Sequence, residues 1–513
     1  MTLPPDFPIK KVLIANRGEI AVRILRSCRD LGIDTVAVYS DADRNALHVR
    51  FANEAYPLGG NTPAESYLRG DAILKIALDS GADAIHPGFG FLAENGDFAE
   101  SVEAAGLRFI GPSSHAMAVM GDKLASRKAM VAAGVPVVPG GTDAVKDAKA
   151  AAEAALEIGY PVMLKASAGG GGKGIRVVES PDEIETAFTT ASGEAQNAFG
   201  DGRMYVEKYL VEPRHIEIQV LGDKFGNVLH FGERECSLQR RHQKLIEEAP
   251  SPAIDEATRQ KMGAAAVAAA KAVDYVSAGT VEFLWSRGDF YFLEMNTRIQ
   301  VEHGITEEVY GIDLITQMIR VAGDERIDDC VGMIPRGHAI EVRLNAEDPE
   351  NNFLPSLGTI RNLRWPGGPG VRIDSSVYRG MEVTPYYDSM LAKLIAYGRD
   401  REQARRRMLR ILQELHVGGV KTSAGVALQL LQTKGFREGN YDTGFLERYM
   451  EDNDGQDVAR DLPDDLEEIA VIVATIYRQR AGARRHIKPT TDGHATNPWV
   501  AQARREQHGG KVQ

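Results

Sequence analysis

The segment GTVEFLWSRGDFYFLEMNTRIQVEH, residues 279–303, has the pattern of a β-hairpin with one polar face. A turn around Arg287 to Asp289 would pair residue 282 with 294 and residue 283 with 293. The polar face would place Glu282 opposite Glu294, with Asn296 two residues further on. The other face would carry Val281, Phe283, Trp285, Tyr291, Leu293 and Met295. The segment therefore predicts a sheet in which one face is apolar and the other suits a ligand.

The paired carboxylates of this polar face predict a metal site. Two carboxylates about 5 Å apart repel by about 3 kcal/mol at an effective dielectric near 20, so they need a cation, a shared proton or wide exposure. Carboxylate and amide oxygens suit magnesium held together with nucleotide phosphates, whereas a solvated strand face is the alternative. If the chain stays extended, Arg298 and Glu302 fall on the same side. A fixed cation and a general base beside a metal would form a reaction centre.

The first 120 residues have the pattern of a parallel α/β domain. The apolar run Lys11 to Ala15 ends at a turn, and apolar residues then recur at helical spacing. Further strands are predicted at Thr35 to Tyr39 and at Ala82 to Ile85, before the turn-rich His86 to Gly90. No GxGxxG motif follows the first strand, which disfavours a nicotinamide-dependent oxidoreductase.

Two other segments suit anions. AGGGGKG at 168–174 would let backbone amides and Lys173 approach phosphate oxygens, but it lacks a P-loop ending and also fits a flexible surface loop. Lys165, which ends the strand before this loop, would reach a phosphate or be solvated. QRRHQK at 239–244 is a concentrated cationic patch, for which an anion site and a solvated loop stay open. A further α+β region is predicted from about residue 335.

The composition limits the class of protein. A chain of 513 residues predicts about three domains, and its net charge of −12 gives no support for a nucleic-acid partner. Cys28, Cys236 and Cys330 lack metal-type spacing and favour a reducing compartment, so we expect a cytoplasmic protein. No apolar run approaches the roughly 20 residues of a membrane span, and we expect neither export nor membrane insertion.

Several segments together resemble the biotin carboxylase family, in that family's order, over residues from about 10 to 450. They are KVLIANRGEIAVRILR (11–26), HPGFGFLAEN (86–95), MGDK (120–123), KASAGGGGKG (165–174), VEKYL (206–210), PRHIEIQV (213–220), ECSLQRRHQKLIEEAPSP (235–252), EMNTRIQVEH (294–303), RGHAIEVRLNAEDP (336–349) and TPYYDSMLAKLI (384–395). The resemblance implies an α/β protein with an ATP-grasp fold. The expected parts are an N-terminal parallel α/β (pre-ATP-grasp) domain at 1–121, an ATP-grasp domain at 122–334 with a mobile lid at about 138–210, a C-terminal α+β domain at 335–450, and an extension at 451–513 made of a helix and a flexible tail.

The resemblance also implies a reaction. The expected activity is a ligase that carboxylates biotin with ATP and bicarbonate through carboxyphosphate, with Mg²⁺ or Mn²⁺ and with biotin as a carrier-bound substrate. Glu302 would deprotonate bicarbonate, which Lys244, Arg298 and the backbone near Val301 would hold. Arg372 would stabilise the enolate-like oxygen of deprotonated biotin.

The same resemblance assigns binding residues. Divalent ions would be held by Glu282, Glu294 and Asn296. ATP would be held by Lys123, Lys165, Gly171, Gly172, Glu207, Lys208, Tyr209, Leu210, His215 and His242. Two positions depart from the family pattern: Phe89 replaces the tyrosine of HPGYG and removes a hydroxyl near the biotin pocket, and Gly304 replaces a proline after His303, which would loosen the loop that carries Glu302.

The chain has neither an AMKM-like biotin acceptor nor the length for a carboxyltransferase domain. We therefore expect two kinds of partner, a separate biotin carboxyl carrier protein and carboxyltransferase subunits, and the family implies a homodimer. Acetyl-CoA is the default acceptor, while propionyl-CoA, another acyl-CoA and pyruvate stay open. The alternatives are another ATP-grasp ligase, such as a carbamoyl phosphate synthetase fragment or a purine-pathway carboxylase, and a non-catalytic nucleotide-binding protein. The extension would be a partner-docking helix or a packing helix.

Overall fold

The protein is described by a computed structural model over residues 3–141, 143–167, 174–241 and 243–452. Gly171, Gly172 and His242 lie outside the described residues, and so does all of the predicted extension except its first two positions. Among the described helices, none is long and apolar enough to cross a membrane.

The N-terminal region forms a five-stranded parallel sheet with the strand order β3-β2-β1-β4-β5. Its elements are β1 (Lys11–Ile14), α1 (Gly18–Asp30), β2 (Asp34–Tyr39), α2 (Leu47–Phe51), β3 (Glu54–Pro57), α3 (Gly70–Ser80), β4 (Ala84–His86), α4 (Gly96–Ala104), β5 (Arg108–Phe109) and α5 (Ser114–Gly121). The helices between the strands provide the crossovers that parallel pairing requires. The parallel α/β pattern predicted for the first 120 residues is therefore confirmed.

A three-stranded antiparallel sheet, with the order β7-β6-β8, occupies most of the predicted lid. This part of the chain contains α6 (Lys123–Ala132), α7 (Ala148–Ile158), β6 (Val162–Ala166), β7 (Ile175–Val178), α8 (Ile184–Phe199) and β8 (Met204–Lys208). Small and branched apolar side chains, including Ala151, Leu164, Ala191 and Val206, form a core between this sheet and α7 and α8. The segment thus has its own hydrophobic core.

An eight-stranded antiparallel sheet, with the order β13-β12-β9-β10-β11-β14-β21-β19, forms the centre of the molecule. Its first half comes from β9 (Arg214–Gly222), β10 (Val228–Arg240), β11 (Gln243–Ala249), α9 (Glu256–Lys271), β12 (Ser277–Ser286), β13 (Asp289–Asn296), α10 (His303–Tyr310) and α11 (Leu314–Ala322). The C-terminal part contains β14 (His338–Asn345), β15 (Glu347–Asp348), β16 (Leu354–Pro355), β17 (Gly358–Thr359), β18 (Asn362–Arg364), β19 (Val371–Ser375), β20 (Glu382–Val383), β21 (Met390–Gly398), α12 (Arg401–Glu414), β22 (His416–Gly418), α13 (Ala424–Leu430), α14 (Lys434–Glu438) and α15 (Phe445–Asp452).

The predicted boundary at 334/335 falls between strands that share this sheet, because β11 pairs directly with β14. Residues 1–449 form one compact unit, so the predicted domain limits stay predictions. The continuous sheet brings C-terminal side chains next to those of the central strands. This continuity decides which residues meet at the site.

The hairpin at 279–303 forms with one change of register. Glu282 pairs with Glu294 as predicted, but a bulge then pairs Phe283 with Phe292 rather than with residue 293. Phe292 consequently packs in the core with Phe283, whereas Leu293 is only half-buried. The pairing of Glu282 with Glu294 depends on this bulge, because the register next to the turn would otherwise place Glu282 opposite Leu293.

The charged residues from 233 to 240 lie within the sheet, in β10, and Gln243 and Lys244 begin β11. Arg234 and Glu235 are buried. Such side chains are stable only when partners on neighbouring strands neutralise them. Those partners form the site described next.

Candidate active site

Three carboxylates lie in a row across three adjacent strands. Glu217 of β9 pairs with Glu282 of β12, and Glu282 pairs with Glu294 of β13. Glu217 and Glu282 are buried, whereas Glu294 is exposed. Desolvation of its carboxylate by the neighbouring side chains, together with the charge of Glu282, raises the pKa of Glu294 although the residue as a whole is exposed. The row therefore attracts cations strongly.

Lys244 of β11 is the cation at the centre of this row. Its Nζ lies 2.5 Å from Glu217 Oε2, 3.1 Å from Glu282 Oε1 and 2.6 Å from Glu302 Oε1. Burial alone would lower the pKa of Lys244, but the three carboxylates outweigh it and raise this pKa well above its ordinary value. Lys244 is therefore an ammonium ion, and its three partners leave the group with net negative charge.

Glu302 lies between Lys244 and Arg343 of β14. Arg343 donates from Nη2 to Glu302 Oε2 at 2.9 Å and from Nε to Glu247 Oε1 at 2.6 Å. Burial raises the pKa of Glu302, but Lys244, Arg343 and Arg234 outweigh it and hold the pKa well below its usual range. We call Lys244, Glu217, Glu282, Glu302 and Arg343 the Lys244 cluster.

Arg372 does not join this cluster. It donates from Nη2 to Glu307 Oε2 and to Asp374 Oδ2, both at 2.8 Å, and from Nη1 to Glu308 Oε1 at 3.4 Å. Arg372 lies on β19, which β21 separates from β14, so the strands of Arg372 and Arg343 are about 10 Å apart. We call Arg372, Asp374, Glu307 and Glu308 the Arg372 cluster. The guanidinium beside Glu302 is therefore that of Arg343, and the predicted Arg372 lies apart from it.

The predicted metal ligands lie together at the end of the hairpin. Asn296 donates from Nδ2 to Glu282 Oε1 at 2.9 Å, and its Oδ1 accepts from Arg298 Nη2 at 2.9 Å. His215 Nε2 lies 3.0 Å from Glu282 Oε2. The exposed Glu294 oxygens next to Glu282 provide the hard, charged donors that magnesium prefers. The residues present therefore fit a divalent ion.

Arg298 is held by a residue that is not among the predicted site residues. Its Nε donates to Glu94 Oε2 at 2.9 Å, and the backbone amide of Thr297 donates to Glu94 Oε1 at 3.1 Å. Glu94 lies 203 positions from Thr297 in the chain. Its place in the segment HPGFGFLAEN was the only signal that the sequence offered.

Two fully buried cations hold the segment that leads to Glu302. Arg234 donates to the side chains of Gln300, Gln219, Thr280 and Thr306, and it forms a close ion pair with Glu217. Lys393 of β21 donates to the carbonyl of Val301 at 2.8 Å. Gln300 in turn donates to Glu282 Oε1 at 2.7 Å, which links this segment to the predicted metal ligands.

The predicted ATP residues that the structure describes lie in two places. His215 lies beside Glu282, and the others lie in or near the smaller sheet. Lys165 and Glu207 form a buried ion pair between β6 and β8, and burial lowers the pKa of Lys123 at the start of α6. Lys208 Nζ donates to Gly159 O at 2.8 Å, and the Tyr209 amide donates to Pro161 O at 3.1 Å. Leu210 is half-buried and follows directly, so this stretch is tied to the smaller sheet.

The two departures from the family pattern have different surroundings. Phe89 is half-buried against the N-terminal core, and its carbonyl accepts from Asn16 at 2.7 Å. Gly304 is buried in the first turn of α10, where an added Cβ would lie 2.5 Å from Ile395 Cδ1. Ile395 thus occupies the space beside Gly304, so the site of the missing proline is packed.

Three parts of the chain match protein families. Residues 8–117 match the family described as biotin carboxylase, N-terminal domain, and residues 341–448 match the biotin carboxylase C-terminal domain. Residues 122–330 match the family described as carbamoyl-phosphate synthase L chain, ATP binding domain. Together these matches span the described core of the molecule.

Named relatives agree with these matches. The chain is 53% identical over 441 residues to a biotin carboxylase of a Nostoc species, covering 85% of this chain and 98% of that protein. It is also 53% identical over 447 residues to a pyruvate carboxylase component of Methanothermobacter thermautotrophicus, covering 87% and 91%. It is 47% identical over 470 residues to the 2-oxoglutarate carboxylase small subunit of Hydrogenobacter thermophilus, covering 91% and 99%.

Solved structures have the same fold. A biotin carboxylase from Campylobacter jejuni matches with a TM-score of 0.84 at 49% identity, covering 87% of this chain and 100% of that one. The biotin carboxylase domain dimer of the H. thermophilus 2-oxoglutarate carboxylase, solved with MgADP, ADP and bicarbonate, matches with a TM-score of 0.82 at 48% identity, covering 86% and 98%. The predicted ATP-grasp fold is confirmed. The chain belongs to the biotin carboxylase family of ligases, which use ATP, magnesium and biotin.

Proposed function

We propose that this chain carboxylates biotin on a separate carrier protein, with Glu302 as the base that activates bicarbonate. The observation that carries the proposal is the position of Glu302 between Lys244 and Arg343, at 2.6 and 2.9 Å. Those two cations supply positive charge where a bicarbonate anion has to bind. Their partners are carboxylates, which an incoming anion can replace.

The roles proposed for the other residues are carried over from the resemblance to biotin carboxylases. Lys244 and Arg298, with the backbone near Val301, hold bicarbonate, and Glu302 takes its proton so that an oxygen attacks the γ-phosphate of ATP. Glu282, Glu294 and Asn296 would hold a divalent ion, which would neutralise phosphate charge. The residues that hold ATP in this proposal are Lys123, Lys165, the loop glycines Gly171 and Gly172, the stretch Glu207 to Leu210, His215 and His242.

We assign the stabilisation of the biotin enolate-like oxygen to Arg343 rather than to Arg372. Arg343 donates directly to Glu302, the proposed base, so its fork-shaped guanidinium lies beside the proposed reaction centre. Arg372 is engaged by Glu307 and Asp374, away from Lys244. Bicarbonate that draws Lys244 away from Glu302 raises the basicity of Glu302, because the cation then holds its pKa down less strongly.

The test is ADP release by the purified chain with Mg-ATP and bicarbonate, with and without free biotin. We expect biotin to stimulate ADP release and Glu302→Gln to lower the stimulated rate by at least about 100-fold, since the base is lost while the volume is kept. ATP binding by Glu302→Gln should stay within about threefold of the unmodified chain. A Glu302→Gln variant with full activity would exclude this residue as the base.

The proposal also covers the partner proteins and the final acceptor of the carboxyl group. A biotin carboxyl carrier protein and carboxyltransferase subunits complete the reaction, a homodimer is the expected assembly, and the three free, buried cysteines support a cytoplasmic location. Acetyl-CoA remains the proposed acceptor. A 2-oxo acid is the second candidate, favoured by the relatives named for pyruvate and 2-oxoglutarate. Affinity purification of the native assembly, followed by labelled bicarbonate fixation onto acetyl-CoA, propionyl-CoA, pyruvate and 2-oxoglutarate, separates these acceptors.

A further inference from the structure

Lys393 is a fully buried lysine that makes its one short hydrogen bond to an uncharged group. Its Nζ lies 2.8 Å from the carbonyl oxygen of Val301, while Glu19 Oε1 and Asp374 Oδ2 are each 3.5 Å away. A buried ammonium would be expected to lie closest to a carboxylate, because charge-assisted bonds are shorter and stronger. Asp374 therefore balances the charge, joined by Glu19 above about pH 7, and the directional bond goes to the backbone.

The bonded carbonyl belongs to the peptide unit that joins Val301 to Glu302. A trans peptide is planar, and its N–H points in the direction opposite to its C=O. Fixing the Val301 carbonyl toward Lys393 therefore fixes the Glu302 amide toward the other side. Within the part of the chain that the structure describes, no acceptor is found for this amide.

The preceding peptide unit is fixed in the same manner. The carbonyl of Gln300 lies 2.6 Å from His303 Nδ1 and accepts from the His303 amide at 3.4 Å. The amide of Val301 consequently points away from His303. Two successive backbone amides are thus oriented by groups behind them, an arrangement that suits an anion.

We propose that Lys393 is a positioning residue for bicarbonate, acting through the Val301 carbonyl to aim the amides of the segment that ends at Glu302. The proposal rests on the proposed function of this site. Lys393 draws its charge balance from Glu19 of α1 and Asp374 of β19, so it ties the N-terminal helix and the C-terminal strands to the bicarbonate segment. Lys393 itself touches no substrate.

The test compares two variants that carry the same change at Glu19. Lys393→Met/Glu19→Gln removes the ammonium together with one of the two carboxyl groups beside it, and Glu19→Gln alone keeps the bond to Val301. We expect the KM for bicarbonate of the double variant to be at least about tenfold above that of Glu19→Gln, because small misplacement of a binding group is costly. The KM for Mg-ATP should agree within about twofold, since none of the proposed ATP residues that the structure describes is a partner of Lys393.

A purely structural role gives a different result. In that case the KM for bicarbonate would match the control, or both KM values and kcat would change together with the melting temperature, and the proposal would be overturned. Lys393→Gln is the second variant, to be used if the double variant does not fold. If neither variant folds, Lys393 serves stability alone and the positioning role is rejected. Absence of bicarbonate-dependent ADP release by the unmodified chain would instead contradict the proposed function.

Discussion

The Lys244 cluster and the Arg372 cluster lie in different halves of one eight-stranded sheet, and both surround a cation with carboxylates. Lys244 meets carboxylates from β9, from β12 and from the loop before α10. Arg372 meets Glu307 and Glu308 of α10 and Asp374 of its own strand. The exposed carboxylate of Glu294 and the loop that carries Glu302 lie next to the Lys244 cluster. The Arg372 cluster instead connects α10 with β19.

This difference separates a site from a structural joint. Glu307 also binds Arg23 of α1 at 2.9 Å, so the Arg372 cluster fastens the N-terminal helix to α10 and β19. Residue type alone would assign either arginine to catalysis. The surroundings favour the Lys244 cluster as the site, because it lies next to the exposed carboxylate of Glu294, whereas Glu307 of the Arg372 cluster also holds Arg23 of α1.

Exchange of the two arginines for lysine gives the largest expected contrast. Lysine keeps the charge but loses the fork that lets Arg343 hold Glu302 and Glu247 together. We expect Arg343→Lys to lower biotin-dependent ADP release by about 100- to 1000-fold, as for loss of a charge-stabilising donor. Arg372→Lys should lower it by less than about tenfold. Initial rates of both variants under saturating Mg-ATP provide the measurement.

Thermal melts supply the control for this contrast. Arg372→Lys should lower the melting temperature more than Arg343→Lys does, because Arg372 joins α10 to β19. Equal rate losses in both variants would mean that the two clusters act as one unit. A larger loss in Arg372→Lys would restore the assignment made from the sequence.

The pH dependence of the free energy of unfolding tests the structural role of the residues around the Arg372 cluster. Burial raises the pKa of Glu19, which adjoins the Arg372 cluster through Lys393, to about 7 from its ordinary value of 4.5. A carboxyl with a raised folded-state pKa contributes stability that is fully present below pH 4.5 and is lost as the pH rises through 7. The loss is at most about 3 kcal/mol, at roughly 1.4 kcal/mol for each pKa unit.

Glu19→Gln should remove this pH dependence. We expect the variant to unfold at higher denaturant concentration than the unmodified chain at pH 8.5, and at a similar concentration at pH 5. Urea titrations at the two pH values measure the difference. A constant difference at both pH values would mean that Glu19 does not change its protonation in this range.

The sequence predicted the hairpin because alternation and the turn residues around Arg287 to Asp289 are local signals. The observed turn is shorter, since Ser286 pairs with Asp289, and its two residues, Arg287 and Gly288, have positive φ of 54° and 96°. The bulge between Glu282 and Phe283 could not be predicted, since it depends on how β12 packs between β9 and β13. The resemblance supplied the ligand residues, but it gave no distance between any two of them.

The choice between Arg343 and Arg372 shows where reading the sequence reaches its limit. Both lie in similar strand patterns, EVRLN and GVRID. Only the sheet order, with β14 next to β11 and β19 at the edge, brings Arg343 to Glu302. Burial of Arg234 was missed for the same reason, because its charge is balanced by Glu217 of β9, and it also donates to Thr280 of β12 and Thr306 of α10.

Gly304 lies where the two clusters approach each other and provides the smallest expected effect. An added Cβ would lie 2.5 Å from Ile395 Cδ1, 3.5 Å from Glu341 Oε2 and 3.6 Å from Arg372 Cζ. We expect Gly304→Ala to cost about 1 to 2 kcal/mol of unfolding free energy through overpacking. Ile395→Val in the same chain should recover most of this loss, because it removes the methyl group in closest contact.

The effect of Gly304→Ala on biotin-dependent ADP release shows whether the change reaches the Lys244 cluster as well as the Arg372 cluster. If Gly304→Ala displaces only Ile395, biotin-dependent ADP release should fall by less than about threefold, in line with a volume change that the neighbour absorbs. A larger fall that Ile395→Val reverses would mean that packing beside Arg372 is transmitted along α10 to Glu302, which precedes that helix directly. Stability and rate that both stay unchanged would mean that Ile395 already has room to move, and the glycine would then have no packing role at this junction.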